Sequence, residues 1–544
     1  LAQNIFGHKK HPMIKKIAVF IFCTTLTTIT FARQNRGMGE VFDLELLSRT
    51  PQKIQMSERS FRDMPSSYSL EKYAPTPGDQ GNYGTCTAWA VGYGAATILY
   101  ARTHNITDKA LINKYAFSPT FLYEQIKQPT DKDCQGGSSS LAALSALIEK
   151  GDATLKTAPY GCNIAPSEHA KTEAQNYKLA DAALLFTQKG ISKNDVYYKE
   201  PQAAIELTKK ALLEGSPVSI SFLLPKSFFA IKSAVWNPDP QESFGDWKHN
   251  NHAMCVIAYD DNIAGGAFKI LNSWGTAWGD KGMVWIKYDD FARWCQMALQ
   301  PFASPFTKAP EENPVPSPEP LPNPKPIPQP KPAPVAIITL SGSMEFKQNT
   351  GEDMPVTRIS SRNLVVEDEK SAKEDLVAYT MIGSYASGTR FRFYLNIDQE
   401  AYIYAFATDL SGKINKILPF DDLVSTHVGA STVVAFPSDT KVIKLDDNKG
   451  TDYLLVLYSK EKLDMDGLIS SMNATKGGLS AKIISALGNK LISKNKIRYD
   501  GNKVGFSVNV KPGTRNLTVE NDTKTNQEPA TGSVVPLMIE IKHN

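Results

Sequence analysis

Cys86, His252 and Asn272 bring together a thiol, an imidazole and an amide, the groups needed for nucleophilic attack on a carbonyl. Cys86 stands near the start of Thr85 to Ala101, 17 residues without a charge. Apolar on every face, that run predicts a central buried helix. Gly81 and Gly84 just upstream allow a tight turn into it, which sets Cys86 in the first turn. There the helix dipole and uncapped N–H groups favour the thiolate, the form that attacks carbonyls. A lone cysteine is ordinarily a packing residue, and the second segment is what argues otherwise here. Asn251 to Tyr259 reads as a strand, Asp260 to Gly266 as a turn and Ala267 to Asn272 as a second strand. A hairpin centred on Asn262 sets His252 opposite Asn272. An imidazole oriented by an amide is placed to exchange a proton with a thiol.

The elements that must hold these groups are legible in outline. Ser118-Pro119 predicts a capped helix over 119–127, and Leu141, Leu144 and Ile148 mark another that begins near Ser138–Ser140. Pro201 opens a helix that ends at Gly215, and Pro217 to Phe222 then reads as a strand. Helices first and strands later predict an α+β domain with two layers.

Five segments in order resemble the papain-like (C1 family) cysteine peptidases, secreted bacterial type, across roughly 64–305. They are Gln80-Gly81-Asn82-Tyr83-Gly84-Thr85-Cys86-Thr87-Ala88-Trp89-Ala90, Cys134-Gln135-Gly136-Gly137, Pro217-Val218-Ser219, Asn251-His252-Ala253, and Asn272-Ser273-Trp274-Gly275-Thr276-Ala277-Trp278-Gly279-Asp280-Lys281-Gly282. The resemblance implies a helical half and a β-barrel half, with peptides or proteins as substrates. It makes Cys86 the nucleophile and His252 the base, as an imidazolium–thiolate pair. Asn272 would orient His252 under the shield of Trp274, and Gln80 would donate to the oxyanion beside the Cys86 N–H. The backbone of Gly136 and Gly137 would pair with extended substrate, and Asn251, Trp274 and Trp278 fall in the substrate-binding segments.

Against the family's C-G-[SA]-C-[WY] pattern, this chain has Tyr83-Gly84-Thr85-Cys86-Thr87. Tyr83 replaces the cysteine that would pair with Cys134, so Cys134 either takes Cys162, the nearest in sequence, as its disulfide partner or stays free. Thr87 replaces a tryptophan beside the nucleophile. Ser138, Ser139 and Ser140 stand where larger residues wall the specificity pocket, which predicts a wider or more polar one. The long propeptide of many relatives is not expected in the short segment 33–63, so latency would arise differently or not at all. Cys255 faces away from His252 on its strand, His249 reads as a loop residue, and Cys295 has no assigned role.

The whole chain has 544 residues, 42% hydrophobic, with a net charge of +4 and no basic clustering, which excludes a nucleic-acid binder. Its eight histidines and six cysteines show no zinc-type spacing, and neither metal nor cofactor is expected. Met13, Lys15-Lys16, the apolar run Ile17–Ile29 and Thr30-Phe31-Ala32 read as an export signal that ends at residue 32, with 1–12 as an upstream extension. The destination is the periplasm, cell surface or exterior. From Pro310 to Pro334, 12 of 25 residues are proline. The linker, taken as 306–335, predicts a stiff polyproline II spacer that holds two halves apart.

Residues 336–544 alternate as strands at Arg390–Leu395, Ala401–Phe406, Tyr453–Tyr458, 504–510 and 534–542, with a helix over 477–490. They predict a mainly β, sandwich-like domain resembling an uncharacterised β-rich domain appended to secreted bacterial enzymes. Its expected partner is a cell surface or another protein. Two alternatives to a peptidase stay open: a non-catalytic papain-fold surface binding protein, and a thiol amidase or transpeptidase acting on a non-protein amide.

Overall fold

The uncharged run forms one buried helix in which Cys86–Ala88 passes through a π-helical stretch, Trp89–Ala96, into Thr97–Thr103 (together α1). The computed structural model describes residues 36–243, 251–304, 338–359, 376–408, 413–501, 503–510 and 532–544. The export-signal segment, His249 and Pro310–Pro334 lie outside the described residues.

Around α1 lie α2 (Pro119–Ile126), α3 (Ser140–Glu149) and α4 (Pro201–Leu213). The Ser118 hydroxyl caps α2 by accepting from the Phe121 N–H at 3.1 Å. The second layer is a seven-stranded sheet ordered β2 (Leu179–Thr187), β7 (Cys295–Ala303), β3 (Val218–Leu223), β4 (Asn251–Asp260), β5 (Ala267–Leu271) and β6 (Met283–Lys287). Strand β1 (Ser67–Ser69) joins the edge of β4. Val218, Ile220, Phe222, Val256, Ile270 and Trp294 fill the core on the sheet side, and Leu99, Tyr100, Phe117, Leu122 and Leu144 fill the helical side.

The β4–β5 hairpin forms in a different register from the symmetric one. Asp260 pairs with Ala267, and a bulge between Val256 and Ala258 leaves Cys255 opposite Leu271. Continued along the strands, that register puts Met254, not His252, across from Asn272. The turn is centred beyond Asn262, which displaces the register, and the bulge takes back one residue of that displacement.

Residues 338–544 form two facing sheets. One is ordered Ile414–Leu418, Ala401–Thr408, Gly450–Ser459, Val534–His543, Val377–Met381, Val356–Arg358. The other is ordered Thr432–Phe436, Arg390–Ile397, Ile338–Gln348, Val504–Val510, Arg498–Tyr499. Helix Leu479–Leu487 is joined by a second, Met465–Ala474, which the strand-like reading missed; both pack on Tyr404, Leu455 and Met538.

The two halves are not held apart. Residues 50–61 run between them: Gln52 bonds Leu423 and Ser425, Lys53 bonds Leu184, and Ile54 is buried in the sandwich core. The Lys53 ammonium is buried against the Glu214 carboxylate and donates to Gln300 Oε1 at 2.6 Å. Thr432 of the sandwich donates to the other Glu214 oxygen at 3.1 Å, and Lys210 donates to the Ser431 carbonyl at 2.7 Å. His427 stacks on Phe302 at 4.0 Å. A stiff spacer sets the contour length between two attachment points; it cannot prevent contacts that a third segment, here 50–61, brings together.

Candidate active site

Four side chains singled out in the sequence converge where the start of α1 meets β4 and the segment after β5. Cys86 is fully buried at the first residue of α1 and packs against Ala253, the neighbour of His252. His252 lies in β4, and its Nε2 meets Asn272 Oδ1 at 2.8 Å. The same Oδ1 accepts the Ser273 backbone N–H at 2.8 Å, so it is an acceptor and Nε2 carries the proton. That leaves Nδ1 as the nitrogen available to a thiol; it is buried and has no hydrogen bond in the described structure. The Trp274 ring covers the pair, 4.8 Å from the imidazole, and is itself buried. Trp278 backs Trp274 at 5.4 Å and donates to the Phe228 carbonyl, so it supports the wall.

Gln80 is held rigidly. Its Oε1 accepts from Ser273 Oγ at 2.6 Å, and its backbone N–H bonds the Ser273 carbonyl at 2.8 Å. This aims Nε2 at two backbone carbonyl oxygens, those of Tyr83 and Gly37, at 2.8 and 2.9 Å. A pair of residues widely separated in sequence therefore places an amide donor at the mouth of the thiol site.

The cleft is filled by the chain itself. Residues 36–42 run across it, tied by Gly37 N–H to the Gly81 carbonyl, Ser138 N–H to the Gly39 carbonyl and Val41 N–H to the Ser138 carbonyl, at 3.1, 2.7 and 2.9 Å. Glu40 N–H reaches the Asn251 carbonyl at 3.4 Å, and Arg36 pairs with Asp79 at 2.6 Å. The short segment before the domain, from which no long propeptide was expected, thus lies over the site. The partner of this extended backbone is Ser138, not Gly136 or Gly137. Gly137 makes the approach sterically feasible: a Cβ there would lie 2.5 Å from the Gly39 oxygen. Gly136 faces the Asp131 carboxyl instead.

Closure changes the electrostatics. Burial, then the nearby Glu40 charge, pushes the Cys86 thiol up to about 12, against backbone hydrogen bonds from Ala253, Gly39 and Thr87. Burial draws His252 down to about 4, against the Asn272 hydrogen bond. Desolvation therefore outweighs the helix-terminus effect expected from sequence, and the pair is uncharged in this state, not an imidazolium–thiolate. Glu40 is itself raised to about 7 by burial, opposed by hydrogen bonds from Ser140 and Ser221.

Cys134 and Cys162 are joined in a disulfide, while Cys86, Cys255 and Cys295 are free and buried. Thr87 is hydrogen-bonded to Ser138, which couples the start of α1 to the wall of the cleft. Glu40, Ser221 and Ser273 were not assigned roles from sequence. The Ser138–Ser140 run was the signal for a polar wall, and Gly37-x-Gly39 was the signal for a closely approaching backbone. Among the described residues, no group of three or more potential metal ligands is present.

Residues 70–304 match the family model for papain family cysteine proteases, and residues 384–462 match a domain of unknown function, DUF4384. The chain is 26% identical over 220 residues to an uncharacterized peptidase C1-like protein of Acanthamoeba polyphaga mimivirus, covering 39% of this chain and 63% of that protein. It is 27% identical over 217 residues to a cathepsin L-like peptidase of Aedes aegypti, covering 39% and 56%. The chain therefore spans under two thirds of the length of these curated relatives. Among solved structures, xylellain, a cysteine protease from Xylella fastidiosa, aligns with 20% identity and a TM-score of 0.39 over 50% of this chain and 97% of its own.

Proposed function

Residues 70–304 belong to the papain family of cysteine proteases, and from that premise we propose that the chain hydrolyses peptide bonds through Cys86 and His252. The carrying observation is a backbone segment laid across the site: its Gly37 carbonyl accepts from Gln80 Nε2 and its Gly39 backbone acts on the buried Cys86 thiol. With the cleft open and hydrated, the thiol proton passes to His252 Nδ1, because Nε2 already carries the proton held by Asn272. The thiolate adds to the carbonyl carbon. The oxyanion takes hydrogen bonds from Gln80 Nε2 and the Cys86 N–H, a contribution of about 3 kcal/mol per donor. The imidazolium then protonates the leaving amine. Water, deprotonated by the same nitrogen, hydrolyses the thioester and regenerates the thiol.

The described form is the latent one. With 36–42 in place the cleft admits no substrate, and the uncharged thiol and imidazole do not attack the segment that covers them. Export is part of the same reading, supported by the apolar run after Lys15-Lys16 and by the Cys134–Cys162 disulfide, a bond favoured in oxidising compartments. The sandwich domain serves as an attachment to a surface or protein partner while it anchors residues 52–61. Fluorogenic peptide hydrolysis before and after limited proteolysis of residues 33–43 tests the reading. Activity should appear on cleavage in the wild type and be absent in Cys86→Ala. Equal activity in the variant would refute it.

A further inference from the structure

The Glu40 side chain enters a pocket between the start of α3 and the face of β3. Ser140 Oγ donates to Glu40 Oε2 at 2.6 Å, and the Ser140 N–H donates to Oε1 at 3.3 Å. From the sheet side the Ser221 hydroxyl also acts on the carboxyl; it is buried and has no hydrogen bond of standard geometry. Glu40, Ser140 and Ser221 are all nine-tenths or more buried. Two hydroxyls and a backbone N–H, all desolvated, suit a planar group with two polar atoms. An aliphatic side chain would leave them desolvated and unsatisfied.

Resting on the peptidase reading, we propose that this pocket is a specificity pocket that selects a substrate side chain ending in a carboxamide or a protonated carboxylic acid, glutamine foremost. The reason for glutamine over ionised glutamate is the charge balance. The groups acting on the Glu40 carboxyl are hydroxyls and an N–H, and no cation among the described residues acts on it. The titratable neighbours are Cys86, which feels the Glu40 charge, and His252 beside it, and burial keeps both neutral. A carboxylate there would be unpaired, which favours the protonated acid. A carboxamide is uncharged at any pH: its oxygen accepts from the Ser140 N–H and its NH2 donates to the Ser140 hydroxyl, which rotates to accept.

The test uses the full chain carrying Glu40→Gln or Glu40→Leu, with the rate of Cys86 alkylation by iodoacetamide at pH 8 followed by mass spectrometry. The Glu40→Gln chain should be protected at least as well as wild type, and the Glu40→Leu chain should alkylate about tenfold faster than it. A positional-scanning peptide library digested by the Glu40→Leu chain should show one position where glutamine exceeds leucine by about tenfold. Glutamate should gain on glutamine there as the pH is lowered from 8 to 6, and Ser221→Val should shift the preference toward leucine. Equal protection by glutamine and leucine, or leucine preferred at every position, would overturn the assignment. If Cys86 alkylates freely yet no peptide is cut, the peptidase reading fails, and the alkylation rates alone decide the pocket.

Discussion

Gly39→Ala should activate the full-length chain. A Cβ at residue 39 would lie 1.9 Å from the Gly84 carbonyl oxygen, against an ordinary contact of about 3.5 Å. Because the clash is with backbone at the turn into α1, no side-chain rotation relieves it. The segment is held by Gly37 to Gly81, Gln80 to Gly37, Ser138 to Gly39 and Val41 to Ser138, at about 1 kcal/mol net each, roughly 4 kcal/mol together. Overpacking of this kind costs about 1–3 kcal/mol, so the open population should rise about 5- to 150-fold. The assay is iodoacetamide alkylation of Cys86 at fixed pH beside hydrolysis of a fluorogenic peptide, and both rates should rise by the same factor. The urea midpoint of global unfolding should barely move, because residues 36–42 cover the cleft and are not part of the core clusters' main body. Alkylation no faster than wild type would show that residues 36–42 do not control access to the thiol.

Other consequences are independent of that one. Glu214→Ala leaves the buried Lys53 and Lys210 ammonium groups without their carboxylate, so urea denaturation should register a loss of about 3–5 kcal/mol, with much of it restored in Lys53→Met/Glu214→Leu; a loss under about 1 kcal/mol would contradict the buried network. Asn272→Ala removes the 2.8 Å bond that fixes the imidazole tautomer, so kcat of the activated enzyme should fall about 10- to 150-fold at unchanged KM, whereas a KM effect alone would indicate a binding role. For pH, Glu40 is raised from 4.5 to about 7 in the closed state. Its ionisation therefore leaves closure untouched below about 4.5 and weakens it as pH rises to about 7, by about 3 kcal/mol in all. His252, lowered from 6.5 to about 4, acts in the opposite sense, weakening closure as pH falls through that window. Hydrogen-exchange protection of the Val41 amide should be nearly level between pH 4.5 and 6.5 in wild type and fall only toward acid in Glu40→Gln; a wild-type profile as steep as the variant's would remove Glu40 from the balance.

The site was readable because its signals are local. An uncharged run dates the helix that carries Cys86, and a strand–turn–strand pattern brings the His252 and Asn272 segments together. The family resemblance then added Gln80. What was not readable depends on distances along the chain. The hairpin register differs because the turn is centred beyond Asn262 and the bulge between Val256 and Ala258 offsets this only in part; neither has a distinctive residue signal. Residues 36–42 have too little periodicity to declare themselves as an added strand, and their contacts with Gly81, Gln80, Ser138 and Asn251 are what give them a role. The packing of the halves depends on Lys53, Glu214, Gln300 and Thr432, four residues from separate regions whose polar types alone would place them on the surface. Burial likewise reversed the expected ionisation of Cys86, since desolvation is a property of the closed cleft and not of the helix start.

The most direct measurement is covalent labelling of the full chain by a peptidyl epoxide, before and after limited proteolysis of residues 33–43, with the modified residue identified by mass spectrometry. Cys86 should be labelled alone, slowly in the intact chain and rapidly after cleavage, and its labelling should abolish peptide hydrolysis in proportion. Labelling at Cys255 or Cys295, or hydrolysis that persists with Cys86 fully modified, would contradict Cys86 as the nucleophile.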